Sequence, residues 1–280
     1  MSESAEPSYC MKEREFTRLS GLVYAECGIN LAPAKRMMLS TRLMKRMREL
    51  RLDSFGDYYD YVTSSEGRQA ELPHMIDVVS TNKTEFFREP AHYDYLEQVL
   101  LPRLAASGRQ GRLKVWSAGC SSGEEPYTLA MILAGWVGRG VPDFSILATD
   151  ISRRMLDRAR RAVYPQEALK QVPQGLGRRS FLRGRGEQEG LLRVVPELRH
   201  RVEFRWLNLT EPFQDVEEME VIFCRNVIIY FDRPTQAALM ERFERQLAPG
   251  GHLFLGHSET LNGINGRLVP VHPTIYRRPA

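Results

Sequence analysis

The chain has 280 residues, enough for one large domain or two smaller ones, and carries 42% apolar and 26% charged residues, ordinary figures for a globular protein. No apolar run approaches the roughly 18 residues that a bilayer span needs, so direct membrane insertion is not expected. Met1 to Tyr9 has neither a basic nor an apolar region of signal-peptide type, and the net charge of +4 is mild. The four cysteines (Cys10, Cys27, Cys120, Cys224) form no C-x-x-C pair, so no zinc or redox motif is expected. They read as free thiols in a cytoplasmic protein.

Residues 1–90 read as a helical N-terminal domain. Phe16, Leu19, Leu22 and Val23 share one face of a first helix. Pro33 suits the first turn of a second, in which Leu39, Leu43, Met47 and Leu50 lie on one side. Lys35 to Arg51 holds seven basic residues against the single acid Glu49. Lys35, Arg42 and Arg46 fall together beside the apolar stripe, a candidate docking face for an acidic partner. Asp53 or Ser54 can cap a short third helix, and Glu71 to Ser80 reads as a fourth.

Residues 91–280 read as an α/β domain. Strands are expected at Leu113–Ser117, Phe144–Ala148, Val202–Leu207, Glu220–Cys224 and His252–Gly256, alternating with helices such as Pro126–Trp136 and Pro234–Leu247. This alternation predicts a parallel sheet covered on both faces. Gly184, Gly186 and Gly190 around Leu191–Val195 break it, predicting a small antiparallel β insertion over about 178–202.

The strongest local signal is Ser117-Ala-Gly-Cys-Ser-Ser-Gly-Glu-Glu-Pro-Tyr127, between the first strand and the first sheet helix. Ligands of open α/β sheets bind at strand carboxyl ends, and small residues such as Gly119 let them approach the backbone. Glu124 and Glu125 would repel a pyrophosphate, so a cationic ligand such as S-adenosylmethionine fits better. The alternative needs no ligand: Ser122 and Glu125 have capping-box spacing. Asp150 ends the second strand 27 residues after Gly123, where an acid commonly takes ribose hydroxyls. It could instead assist the cap at Ser152.

Five segments then carry a resemblance: Thr81-Asn-Lys-Thr-Glu-Phe-Phe-Arg-Glu89, the Ser117–Tyr127 loop, Ala148-Thr-Asp150, Leu207-Asn-Leu209, and Phe223-Cys-Arg-Asn-Val-Ile-Ile-Tyr-Phe-Asp232. In this order and spacing the chain resembles the CheR family of chemotaxis receptor methyltransferases. The resemblance implies a small all-α domain followed by a Rossmann-like S-adenosylmethionine methyltransferase domain with a small antiparallel β insertion. It implies transfer of the methyl group to glutamate side chains of chemoreceptors, leaving S-adenosylhomocysteine. Asn82, Thr84 and Arg88 would face the cofactor. Glu125 and Asp150 would hold its methionine and ribose parts, and Asn208 and Leu209 its adenine. Cys224, Arg225 and Asn226 would line the same pocket, and Arg88 and Tyr230 would position the acceptor. Read alone, Asn82 and Thr84 could as well cap a helix starting near Glu85, and Phe86 and Phe87 fit a core. No metal is implied. The Asn/Asp-Pro-Pro-aromatic run of base methyltransferases is absent at Cys224-Arg-Asn-Val227, so a nucleic-acid partner is not expected.

Overall fold

The computed structural model describes residues 10–108, 110–141, 143–264 and 266–280; Met1–Tyr9, the segment read above as lacking a signal peptide, lies outside them. The chain divides into two compact units. One runs to Thr81 and takes in Tyr230–Asp232; the other comprises Asn82–Ile229 and Arg233–Ala280.

In the first unit α1 (Glu13–Cys27) buries Phe16, Leu19, Leu22 and Val23, the stripe its periodicity predicts. It stops at Gly28, whose φ of 72° is the left-handed conformation glycine accepts most readily. Helix α2 (Arg36–Leu50) buries Leu39, Leu43 and Met47 completely. Helix α3 (Phe55–Thr63) is capped by Ser54, whose Oγ accepts from the Asp57 N–H at 3.1 Å. The helix expected over Glu71–Ser80 is α5 (Leu72–Val79), and a further short helix that was not expected, α4 (Ser65–Ala70), precedes it. Gly67 lies so close to the Tyr61 carbonyl that a Cβ there would sit 2.0 Å from its oxygen.

The cationic face of α2 is less open than its sequence suggests. Arg46 makes a forked ion pair with Glu71 (3.0 and 2.6 Å), a carboxylate 2% exposed, and also meets Glu49. Arg42 donates to the carbonyls of Val79 and Ser80, ending α5. Lys35 remains exposed.

In the second unit Pro90–Tyr95 (α6) continues through a π turn, Leu96–Leu100, into α7 (Leu101–Ala106). There follow β1 (Leu113–Ala118), α8 (Glu124–Ala134), β2 (Phe144–Asp150) and α9 (Arg153–Arg161). Strand β3 (Val163–Pro165), α10 (Gln174–Ser180), β4 (Phe181–Arg183) and β5 (Leu191–Val194) come next. The chain ends through α11 (Pro196–Arg199), β6 (Val202–Trp206), β7 (Met219–Cys224), α12 (Arg233–Gln246), β8 (Leu247–Leu255), β9 (Val269–His272) and β10 (Ile275–Arg277).

The main sheet has the order β6-β2-β1-β7-β8-β10-β9, parallel from β6 to β8 and antiparallel beyond. Strand order reverses between β1 and β7, which are neighbours in space but distant in sequence. The crevice at their carboxyl ends is where such sheets bind ligands. The core is apolar on both faces: Val115, Ile146, Val221, Phe223 and Phe254 are all within 1% of full burial. Phe223 and Phe254 stack 4.2 Å apart across β7 and β8.

The antiparallel insertion begins earlier than expected. Its sheet, ordered β3-β5-β4, starts at Val163 instead of near residue 178. The three residues of β3 are too few for alternation to show. The last two strands of the main sheet also escape the sequence pattern: every residue of β9 is exposed, so nothing apolar marks it.

Candidate functional site

Three chain segments meet at the crevice of the second unit: the turn after β1, the end of β2, and the loop after β7. Gly119 turns the chain out of β1 at φ 91°, and a Cβ on it would stand 2.5 Å from Val227 Cγ2. The N–H groups of Gly119 and Cys120 both bond the Thr149 carbonyl, at 2.8 and 2.9 Å. Ser121 adopts φ 47°, and Gly123, at φ 97°, starts α8. A Cβ on Gly123 would lie 2.9 Å from both Ala159 Cβ and the Tyr164 hydroxyl oxygen. The small residues of the loop are thus required by close packing as well as by any ligand.

The capping-box alternative is overturned. No side chain caps α8; Ser122 donates instead to Glu124 at 2.7 Å. Glu125 turns inward, where its Oε1 accepts from Ser117 Oγ (2.7 Å) and its Oε2 meets Arg225 Nη1 (3.0 Å). Burial raises the Glu125 carboxyl above the ordinary range, and Arg225 and Ser117 offset only part of this. Asp150, 8% exposed, accepts the Ser121 N–H on Oδ2 and the Ser152 N–H on Oδ1, each at 2.8 Å. The cap of α9 is Ser152 itself, whose Oγ accepts from Met155 N–H at 3.1 Å.

Arg225 is the hub. Its side chain is 1% exposed. It bonds Glu125, the Tyr93 hydroxyl (2.9 Å), Glu89 Oε2 (3.0 Å) and the Arg88 carbonyl. Desolvation lowers the Arg225 pKa, but the surrounding anionic and phenolic groups raise it above the ordinary arginine value. Asn226, at φ 58°, donates from Nδ2 to Glu89 Oε1 at 3.1 Å. Burial pushes the Glu89 carboxyl up, yet Arg225, Asn226 and the His257 N–H outweigh it and hold Glu89 below the ordinary range. Glu259, 3% exposed, accepts from the N–H groups of Gly256 (2.6 Å), Asn226 (2.9 Å) and Ile229 (3.3 Å), and so fastens the loop after β7.

The segment Thr81–Glu89 contains no helix, which removes the alternative that Asn82 and Thr84 cap one. Asn82 presents its carbonyl to Ser121 Oγ (3.0 Å), and Arg88 donates to the Lys83 carbonyl (2.8 Å). Phe86 is core, edge-on to Tyr164 and Phe181. Asn208 Oδ1 accepts from Thr210 N–H and Oγ1, and the Leu207 N–H bonds the Asp150 carbonyl at 3.2 Å, which brings residues 207–209 to the end of β2. Cys224 is fully buried at the end of β7.

Of the residues expected in the site, Asn82, Gly119, Glu125, Asp150, Arg225 and Asn226 are thus linked by direct bonds and backbone turns around one crevice. Tyr230 belongs to the first unit, where its carbonyl accepts from the Asn30 N–H at 2.8 Å. Lys35, Arg42 and Arg46 also lie in that unit. Sequence reasoning missed Ser117, Glu89, Tyr93 and Glu259. Glu89 closes a quoted motif and was within reach; nothing local marks Glu259 or Tyr93.

Residues 82–276 match the family described as CheR methyltransferase, SAM binding domain, and residues 14–80 match CheR methyltransferase, all-alpha domain. The chain belongs to the CheR methyltransferase family. It is 41% identical over 263 residues to chemotaxis protein methyltransferase 2 of Pseudomonas aeruginosa, covering 94% of this chain and 92% of that one. It is 40% identical over 268 residues to the chemotaxis protein methyltransferase of Escherichia coli, covering 95% and 91%. S-adenosylmethionine is therefore the cofactor of this CheR domain. The crevice suits it: carboxylates and hydroxyls crowd the ends of β1 and β2, an acceptor-rich surround for a molecule bearing sulfonium and ammonium charge and a ribose diol. No helix among the described residues is long and apolar enough to cross a membrane.

Proposed function

We propose that this CheR-family methyltransferase esterifies glutamate side chains on the acidic helical bundles of chemoreceptors. The observation that carries the reading is the pairing of Glu125 with Arg225, with Asp150 at the end of the neighbouring strand, at the switch point of the sheet in a chain of which 94% aligns with a chemotaxis protein methyltransferase. Asp150 takes the ribose hydroxyls, Glu125 faces the amino-acid end of the cofactor, and Asn208 and Leu209 flank the adenine. Cys224, Arg225 and Asn226 close the floor, with Gly119, Asn82, Thr84 and Arg88 along the rim.

When bound, the cofactor supplies an electrophilic methyl group on a sulfonium. The acceptor is a carboxylate with a reference pKa of about 4.3, already ionised at pH 7, so no general base is required. What the protein must do is orient it. Arg88 is the positioning cation and Tyr230 the hydrogen-bond donor. Arg225 holds the Arg88 carbonyl, which fixes the backbone from which the Arg88 side chain departs.

A basic surface on α2 steers the acidic substrate. Because Arg42 and Arg46 bond partners within their own unit, the exposed Lys35, Lys45 and Arg48 carry most of this attraction. The protein acts in the cytoplasm, recruited to receptor arrays.

The test is incubation with methyl-labelled S-adenosylmethionine and receptor-containing membranes. Label released from the receptor by mild alkali is expected, because esters hydrolyse in base and N-methyl groups do not. Base-stable label, or label on RNA alone, overturns the proposal.

A further inference from the structure

We propose that Glu89, His92 and His257 form a binding site for a divalent cation of borderline softness, with Zn2+ as the reference ion. All three residues belong to the second unit, and one ligand atom from each lies within 4.8 Å of the others.

The arrangement has the marks of a ligand set. His92 is 1% exposed, and its Nε2 lies 2.8 Å from Thr274 Oγ1. In the tautomer that donates Nε2–H to Thr274, Nδ1 turns its lone pair toward Glu89 Oε2, 3.5 Å away. That buried Nδ1 has no hydrogen-bond partner among the described residues. An imidazole anchored through one nitrogen and lone-pair outward through the other is the form that binds metals. His257 stands edge-on to His92 with ring centroids 4.9 Å apart and is exposed, and binding requires its ring to close to the roughly 2.0–2.1 Å of a Zn–N bond.

The ligand types favour the same class of ion. Two carboxylates, Glu89 and Glu125, face the single guanidinium of Arg225, and Glu89 Oε2 lies between that guanidinium and His92 Nδ1. Two imidazoles and one carboxylate suit Zn2+, Ni2+ or Co2+ better than Mg2+ or Ca2+. Water completes the coordination on the exposed side of His257. A cation drawing on Glu89 Oε2 competes with Arg225 for that oxygen, so occupancy loosens the hub.

The test uses untagged protein and Co2+ as a spectroscopic probe. Titration is expected to give the visible absorption of tetrahedral Co2+ at one equivalent, displaced by Zn2+ and unchanged by Mg2+. His257→Ala keeps the backbone N–H that bonds Glu89 and removes one ligand; at least a tenfold weaker Co2+ affinity is expected. His92→Gln, checked for an unchanged thermal transition, should abolish the signal. Equal Co2+ binding by the wild type and His257→Ala, or no binding by the wild type, overturns the site. Binding of S-adenosylmethionine to His257→Ala, measured by calorimetry without metal, is expected to be unchanged. The metal result is therefore separable from the proposed transferase activity.

Discussion

Glu125 Oε2 and Arg225 Nη1 lie 3.0 Å apart although exactly one hundred residues separate them in the chain. Both side chains are withdrawn from solvent, Arg225 almost fully. Glu89 completes the triad from a third segment. A buried cation so placed couples the start of α8, the loop after β7 and the backbone of Arg88.

Removing the cation should therefore cost more than an ordinary surface pair. Arg225→Met leaves Glu125 and Glu89 buried without their counter-charge, and a loss of roughly 3–5 kcal/mol is expected from urea unfolding. Glu125→Gln keeps the shape and removes one charge. It should weaken cofactor binding while costing less stability than Arg225→Met, and a reversal of that order in the urea data contradicts the hub assignment.

Asp150→Asn preserves size but replaces one acceptor oxygen by a donor facing the Ser121 or Ser152 N–H. Loss of a hydrogen bond to a charged group, about 1.5–3 kcal/mol, corresponds to roughly 10- to 150-fold weaker cofactor binding. Calorimetry checks this. Unchanged affinity removes Asp150 from the site.

Gly123→Ala combines a left-handed φ with a Cβ set against Ala159 and the Tyr164 hydroxyl. At least about 1–3 kcal/mol of destabilisation is expected. At Gly119 the obstacle is a side chain, Val227. Adding Val227→Ala to Gly119→Ala should recover part of the loss, leaving the backbone strain. A double-mutant cycle of thermal transitions tests for that coupling.

His252 provides the pH dependence. Burial first, then Arg277 and Arg103, lowers its pKa from 6.5 to about 4, and its Nε2 finds no partner among the described residues. The unfolded chain binds this proton at higher pH than the folded one. Its contribution is thus fully present above pH 6.5 and is lost as pH falls toward 4. Up to about 3 kcal/mol is at stake. His252→Phe should flatten the fall in urea stability between pH 7 and pH 4 relative to wild type; parallel curves would show that His252 does not govern it.

Much of the fold was legible in the chain. The stripe Phe16, Leu19, Leu22, Val23 and the runs at Leu113, Phe144 and Glu220 predict helix and strand because a buried face must repeat with the period of its element. The positions of Gly119 and Asp150 could be read because a strand-to-helix turn and a strand end are local features.

Partnership was not legible. Ser122 and Glu125 have the spacing of a cap, but Ser117 and Arg225 hold Glu125 inward instead. Arg42 and Arg46 look like a free basic face until α5 brings Glu71 and the ends of its own backbone against them. The exposed β9 and the three-residue β3 carry no apolar signature, so only pairing with neighbouring strands reveals them. Residue type and period determine which face of each element is buried. Which charges meet, and which strands lie side by side, is decided when segments remote in sequence pack together and each buried polar group must find a partner.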